Sequence, residues 1–420
     1  MHSRLRFLPA LLVFVLLGGI RLRAQAPEPT QAELIRQLQK RIDELEASQK
    51  SLQEKVEKLS AAAPPGASPE TPVPQQQEET VPAETPAPHI LGPVQLHGFS
   101  DLDYGRAWFE KLPPGGLRGS PTSFNIGDFD LYTNTELSDH WSMLGEMLVS
   151  SDFSNEFDVE MDRLLLTYRK NDYLRISIGK FATALGYYAA QFHRAQYFQT
   201  AIGRPIMFSD EDNGGILPTH NIGITASGLV PSGKLGLHWV AEVANGRSST
   251  NLDVPVQNFV DENNGKAVNF GAFVRPEQLN GFEAGFSLYH DTLHPPSAPQ
   301  IGQLIFAGHV VYVGSRLEWL NEAALLRHSL QGLDQSFHPF TSYTQLAWSF
   351  GKTKPYFRYD YQNIAAADPV FGFLGRRNGP SIGINRRFSN YVVGKLQYGR
   401  LGERQANSIN DVTAQLAFAF

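Results

Sequence analysis

Val412-Thr413-Ala414-Gln415-Leu416-Ala417-Phe418-Ala419-Phe420 alternates apolar and small or polar side chains with a period of two and stops on an aromatic residue. Successive side chains of a strand point to opposite faces, so Val412, Ala414, Leu416, Phe418 and Phe420 form one face fit for hydrocarbon. Thr413, Gln415, Ala417 and Ala419 form a second face that tolerates water. A chain finishing on such a strand can close a sheet inside a membrane. Soluble edge strands alternate in the same way, so a soluble sandwich with one wet face is the competing reading.

The other end of the chain favours the membrane. Met1 to Arg6 carries two arginines, Phe7 to Ile20 is apolar, and Ala24-Gln25-Ala26 offers small residues for cleavage. That is the layout of a secretory signal peptide over residues 1–26. The apolar run is shorter than the roughly 20 residues a spanning helix needs, which argues against an uncleaved anchor.

Composition fits an address outside the cytoplasm. With no cysteine in 420 residues, a disulfide framework and a Cys-based metal site are both excluded. Hydrophobic residues make up 42% of the chain, yet no long apolar run follows the signal. Spanning helices are therefore excluded, whereas a barrel, whose apolar residues are diluted by alternation, remains open. A net charge of −6 argues against a nucleic-acid partner.

Phe418 and Phe420, with apolar residues at every second position before them, resemble the carboxy-terminal strand of bacterial outer-membrane barrels. The resemblance implies that the barrel-assembly machinery reads this segment as its signal. It also implies contact with outer-membrane lipid and lipopolysaccharide.

Residues 27–60 read as a short coiled coil. Ile35, Leu38, Ile42, Leu45, Gln49, Leu52, Val56 and Leu59 follow a 3,4 spacing, broken in polarity only by Gln49, and Thr30 with Glu33 makes a capping box. Arg41 to Glu46 resembles a known trimer-specifying pattern, whereas isoleucine at a with leucine at d favours dimers. The resemblance to outer-membrane barrels, which are commonly trimeric where they form channels, makes the trimer the expectation, and this segment is expected in the periplasm. Residues 61–89 hold eight prolines and Gln75-Gln76-Gln77, and read as an extended linker without a core.

Residues 90–420 then form one all-β unit, a transmembrane antiparallel barrel. Strands are expected near 94–104, 124–137, 141–153, 157–170, 173–182, 219–229, 234–245, 266–276, 281–291, 301–313, 315–327, 338–350, 353–364, 379–387, 390–400 and 410–420. About sixteen is an even number, as bacterial barrels require. Short connections, such as Ser138-Asp139-His140 and Gly351-Lys352, mostly alternate with longer ones. In the seventh strand Leu235, Leu237, Trp239, Ala241 and Val243 should face lipid, with His238 and Glu242 facing the lumen. In the thirteenth, Phe357, Tyr359 and Tyr361 alternate with Tyr356, Arg358, Asp360 and Gln362. A water-filled lumen accommodates such charges; a packed core does not.

The longest connection is Thr183 to Pro218. Ile178-Gly179-Lys180-Phe181, Leu185-Gly186-Tyr187-Tyr188, Ile202-Gly203-Arg204-Pro205 and Asp212-Asn213-Gly214-Gly215-Ile216 resemble the phosphate-selective porin O and P type and related outer-membrane porins. The resemblance implies that this third long loop folds inward and narrows the channel. Two departures stand out: Ala184 precedes Leu185-Gly186 where many relatives carry a proline before the glycine, and the dense lysine and arginine ladder of a phosphate selector is missing. Lys180, His193, Arg194, Arg204, Asp210, Glu211 and Asp212 are the candidate constriction residues, because opposed charges at a narrow point create a transverse field. Alternation adds Glu146, Arg163, Arg175, Glu283, Arg358, Asp360 and Lys395 as lumen-wall candidates. Salt bridges that merely brace loop and wall are the competing role for both sets. Residues 1–93 hold ten basic and eleven acidic residues, leaving 26 against 31 in the barrel region and a weak hint of cation preference.

No Gly-x-Ser-x-Gly elbow, His-Glu-x-x-His helix or Walker loop occurs, so neither enzyme chemistry nor a cofactor is expected. His290 and His294 lie at a strand end, where an i,i+4 spacing does not converge side chains, and no metal is expected there. The expected function is passive diffusion of small hydrophilic solutes or ions through a homotrimeric porin. The alternative is a substrate-specific uptake receptor.

Overall fold

The computed structural model describes residues 94–111, 119–151, 156–192, 195–209, 215–249, 258–296, 298–403 and 408–420. The signal, coiled-coil and linker readings (1–26, 27–60, 61–89) lie outside them, as do His193, Arg194, Asp210, Glu211 and Asp212.

The described chain is a closed antiparallel barrel of sixteen strands. They are β1 (Val94–Phe109), β2 (Ser123–Glu136), β3 (Trp141–Ser151), β4 (Phe157–Asn171), β5 (Leu174–Ala182), β6 (His220–Val230), β7 (Leu237–Ala244) and β8 (Ala267–Val274). There follow β9 (Phe282–Leu293), β10 (Ile301–Val313), β11 (Leu317–Leu330), β12 (Ser336–Phe337 and Phe340–Trp348), β13 (Thr353–Asn363), β14 (Arg377–Arg387), β15 (Val392–Glu403) and β16 (Ile409–Ala419). The two segments of β12 both pair with β11 and are parted at His338-Pro339. Proline has no N–H to give the ladder, and the Pro339 carbonyl instead accepts from Leu326 N–H at 2.8 Å.

Each strand pairs with its sequence neighbours, and β1 closes the circle by pairing with both β2 and β16. The seam runs from Phe99 opposite Ala419 to Phe109 opposite Ile409. Phe420 extends it, donating its N–H to Gly98 O and accepting from Gly98 N–H, both at 2.9 Å. Its ring lies over Gly98, where a Cβ would stand 2.1 Å from the ring's Cζ, and stacks on Phe129 with centroids 5.8 Å apart. A glycine at 98 is therefore what seats the terminal aromatic ring.

Alternation is visible on both faces. In β13 Tyr356, Arg358, Asp360 and Gln362 are buried inside, while Phe357 and Tyr359 are exposed outside. In β16 Val412 and Leu416 are exposed, and Gln415 and Ala417 are buried. A bulge opposite Glu146 and Met147 breaks this rhythm in β4. Met161 and Leu164 face out on either side of it, so Asp162 and Arg163 both turn inward. The four long connections, 110–122, 183–219, 245–266 and 364–376, all lie on one rim, whereas every connection on the other rim is short, which is the outer-membrane asymmetry.

Candidate channel lumen

The connection between β5 and β6, residues 183–219, is held by inward-facing wall residues over much of the barrel. Its start is fixed from β7 to β9. Glu242 accepts from Ala184 N–H at 3.2 Å, and Ser287 Oγ and Asn269 Nδ2 donate to Ala184 O at 2.9 and 3.2 Å.

The next hold is at β11. Glu322 accepts from Tyr187 N–H at 2.6 Å, Tyr188 N–H at 2.9 Å and Tyr343 Oη at 2.7 Å. These amides lead into the loop's one described α-helix, α1 (Tyr188–Phe192). The first amides of a helix have no partner within it, so a carboxylate there is favourably placed. Burying its charge would be costly without those three donors. Burial pushes the Tyr188 phenol up, and its hydroxyl donates to Gln199 at 2.7 Å.

Beyond α1 the loop reaches the far wall and returns. Lys395 on β15 donates to Gln196 O at 2.6 Å and to Ala201 O at 3.3 Å. Phe198 packs on Phe99 of β1 with ring centroids 5.0 Å apart. Gln397 accepts from Ile202 N–H at 3.1 Å and donates to Ile202 O at 3.2 Å. Arg358 donates to Gly203 O at 2.8 Å, and its partner Asp360 accepts from Ile206 N–H at 3.0 Å. Thr200 Oγ1 donates to Glu318 at 2.8 Å.

An apolar cluster completes the attachment. Leu185, Tyr188, Met207, Phe208, Ile216 and Leu217 of the loop are buried against Tyr289, Leu293, Ile305, Val311, Leu320 and Phe371. At about 1.5–3 kcal/mol for each large side chain buried, the hydrophobic contribution is comparable to that of the polar clamps.

Arg358, Asp360 and Lys395 are thus brought together with the loop. Lys180 is not: it is buried against β4, paired with Glu160 at 2.6 Å, bonded to Met161 O at 2.8 Å and set over the Phe259 ring. Glu146 pairs with Arg163, and Glu283 pairs with Arg275 and His309 beside the short-turn rim. Arg175 is exposed at the same rim. Arg204 is partly buried beside Pro205.

Sequence reasoning placed Glu242 on the lumen face without reading it as an anchor, and it missed Glu318 and Glu322 and the buried acids Asp101, Asp130 and Asp162 of the β1–β4 wall. Their alternation with Trp319, Val243 or Leu131 was a usable signal, but nothing in the chain assigns a backbone amide 135 residues away to Glu322. Among the described residues no group of His, Asp and Glu stands close enough to hold a metal ion. His290 and His294 each place Nδ1 against a backbone carbonyl, of Gln303 and Thr292 respectively.

No protein-family model and no curated protein matches the chain. Solved structures do. The anion-selective porin from Comamonas acidovorans is similar with a TM-score of 0.54 at 11% identity, covering 78% of this chain and 99% of that one. The outer membrane channel DcaP of Acinetobacter baumannii gives 0.53 at 12%, covering 78% and 97%. OmpF of Salmonella typhi, solved with daunomycin, gives 0.54 at 11%, again covering 78% and 97%. At such identities the likeness is one of fold: the chain has the barrel of bacterial outer-membrane porins.

Proposed function

We propose that this barrel is an outer-membrane porin through which small hydrophilic solutes or ions diffuse passively, with residues 183–218 as its constriction. What supports this reading is the hydrogen bonding of the loop to inward-facing residues of β7, β11, β13 and β15, the contacts a loop folded into the lumen would make. Hydrogen-bonded backbone inside a barrel narrows the water path without blocking it by a separate domain, and filtering is then steric and electrostatic. The work is done without bond chemistry, so the protein is not an enzyme on this reading.

Arg204 and the undescribed His193, Arg194, Asp210, Glu211 and Asp212 belong to the constriction in this proposal. Homotrimer formation, a periplasmic coiled coil over 27–60 and recognition of Phe418 and Phe420 by the assembly machinery complete it.

Single-channel recording of the purified protein in a planar bilayer tests the reading. Discrete, ohmic conductance steps that grow when residues 186–207 are replaced by a short Gly-Ser linker are expected. A folded barrel that conducts no ions, or whose conductance is indifferent to that replacement, overturns it.

A further inference from the structure

Five rings gather on the inner wall towards the short-turn rim. His97 pairs with Tyr132 and Phe99 with Asp130 across β1 and β2, so these four side chains share the inward face. The rings of His97 and Tyr132 stack with centroids 4.9 Å apart, and those of Tyr132 and Phe99 with centroids 5.7 Å apart. The loop supplies the other two. Phe198 lies 5.0 Å from Phe99, and Tyr197 lies 5.1 Å from Phe198, its hydroxyl donating to Asn390 O in the turn between β14 and β15. Phe198 packs on the inner wall and is still 54% exposed, so its ring keeps a face free.

The row beside the rings is acidic. Leu102 and Tyr104 are exposed outside, so alternation continues the inward row of β1 from Phe99 to Asp101 and Asp103. Asp101 accepts from Gln415 at 3.3 Å. Asp130 is 2% exposed, and its Oδ1, like Asp103 Oδ1, has no hydrogen-bond partner among the described residues. The neighbouring cations are engaged elsewhere. Arg163 pairs with Glu146, and Lys395, whose field reaches Asp101 and Asp103, gives its hydrogen bonds to the carbonyls of Gln196 and Ala201.

The two features call for the same ligand. A carboxylate oxygen buried without a donor is costly, and a cation offsets that cost. Aromatic faces attract cations too, more strongly out of water. A neutral sugar also stacks on rings, but it brings no charge to Asp130.

We propose that Tyr132 and Phe198, bridged by Phe99, form with Asp130 and Asp103 a site in the lumen for an organic cation, an amine or quaternary ammonium carried on an apolar or aromatic body. The site rests on the inward fold of residues 183–218, which brings Phe198 to the wall, and it adds to that reading the class of solute the channel holds.

The test uses the full chain in non-ionic detergent with benzyltrimethylammonium as the probe, its affinity read by titration calorimetry and its place by interruptions of single-channel current. Wild type is expected to bind it at least about tenfold more tightly than Phe198→Leu, which keeps an apolar brace for the loop and removes the aromatic face, and than Asp130→Asn. Phe198→Tyr should bind like wild type. Should Asp130→Asn fail to fold, Asp103→Asn is read in its place. Equal affinity in wild type and Phe198→Leu overturns the proposal, as does binding of neutral benzyl alcohol or maltotriose as tight as that of the cation. Binding without interruption of an open current also overturns it, by placing the probe outside the lumen. Where replacement of residues 186–207 enlarges the conductance but wild type binds no probe, this site falls and the constriction stands. Should the barrel conduct nothing, the channel reading falls and calorimetry alone decides the site.

Discussion

Glu322→Gln separates docking of the loop from folding of the barrel. Glu322 Oε1 serves Tyr188 N–H at 2.9 Å and Tyr343 Oη at 2.7 Å, while Oε2 serves Tyr187 N–H at 2.6 Å. Glutamine has nearly the same shape but only one acceptor atom. With its oxygen in the Oε1 place, the amide nitrogen faces Tyr187 N–H, donor against donor. With the amide turned over, Tyr188 and Tyr343 lose their acceptor instead. Either way a charge-assisted bond is lost and a buried donor is stranded, a cost of about 2–4 kcal/mol to the docked loop. At 1.4 kcal/mol per factor of ten, the docked state loses roughly 30- to 1,000-fold in population relative to undocked forms. The barrel ladder itself gives up nothing, because Glu322 contributes only its side chain to this contact. Amide hydrogen exchange at residues 187–192 should therefore accelerate, and single-channel records should show larger, noisier open currents, while heat-modifiable gel mobility stays that of the folded barrel. Unchanged exchange would refute the clamp. Faster exchange with unchanged current would leave the clamp standing and refute the constriction.

Deleting Phe420 should slow assembly and leave unfolded chain, and Gly98→Val should do the same in milder form because the added carbons occupy the ring's place; heat-modifiable mobility reads both. Arg194→Glu/Arg204→Glu should shift ion preference towards cations with thermal stability nearly intact, whereas screening over about 8 Å would erase the effect of exposed loop charges; an unchanged reversal potential in a salt gradient moves selectivity to the wall. In the isolated 27–60 peptide, Ile42→Asp/Leu45→Asp should bury charge in the seam and dissociate the oligomer; sedimentation showing a monomer before mutation removes the premise. Glu110 is held below the usual carboxylate range by its hydrogen bonds to Arg400 and Ser408. A group with a depressed folded pKa contributes above its unfolded pKa and loses that contribution as pH falls through the folded value, so the Glu110 to Arg400 tether should weaken on acidification, seen as a downfield-to-upfield change in the Arg400 side-chain signals absent in Glu110→Gln.

The sequence by itself determined the barrel. Alternation is a local property of the strand, so the positions of β1 to β16 and the inner and outer faces of β7, β13 and β16 could be read from side-chain polarity alone. Where local chemistry and tertiary pairing part, the reading slipped. β1 runs on past Gly105 to Phe109 because β16 continues opposite it, and a glycine in a paired strand need not end it. β7 begins at Leu237 because Gly233–Leu235 forms a short 3₁₀ turn closed by left-handed Gly236, at φ 59°. Asp162 and Arg163 both face inward because of a bulge opposite β3, and no period-two count anticipates an extra residue.

The lumen was legible in part. Arg358, Asp360 and Lys395 were readable as inward-facing charges from their neighbours in the strand, but what they hold was not. Their partners are Gly203 O, Ile206 N–H, Gln196 O and Ala201 O. Backbone groups carry no side-chain signature, so the same inward carboxylate can face water, a neighbouring arginine or a loop amide with no change in the sequence around it. The choice is made by the path of the loop. That path is set by Leu185, Tyr188, Met207 and Phe208 burying themselves against wall residues 80 or more positions away, and only the closed barrel brings those surfaces together.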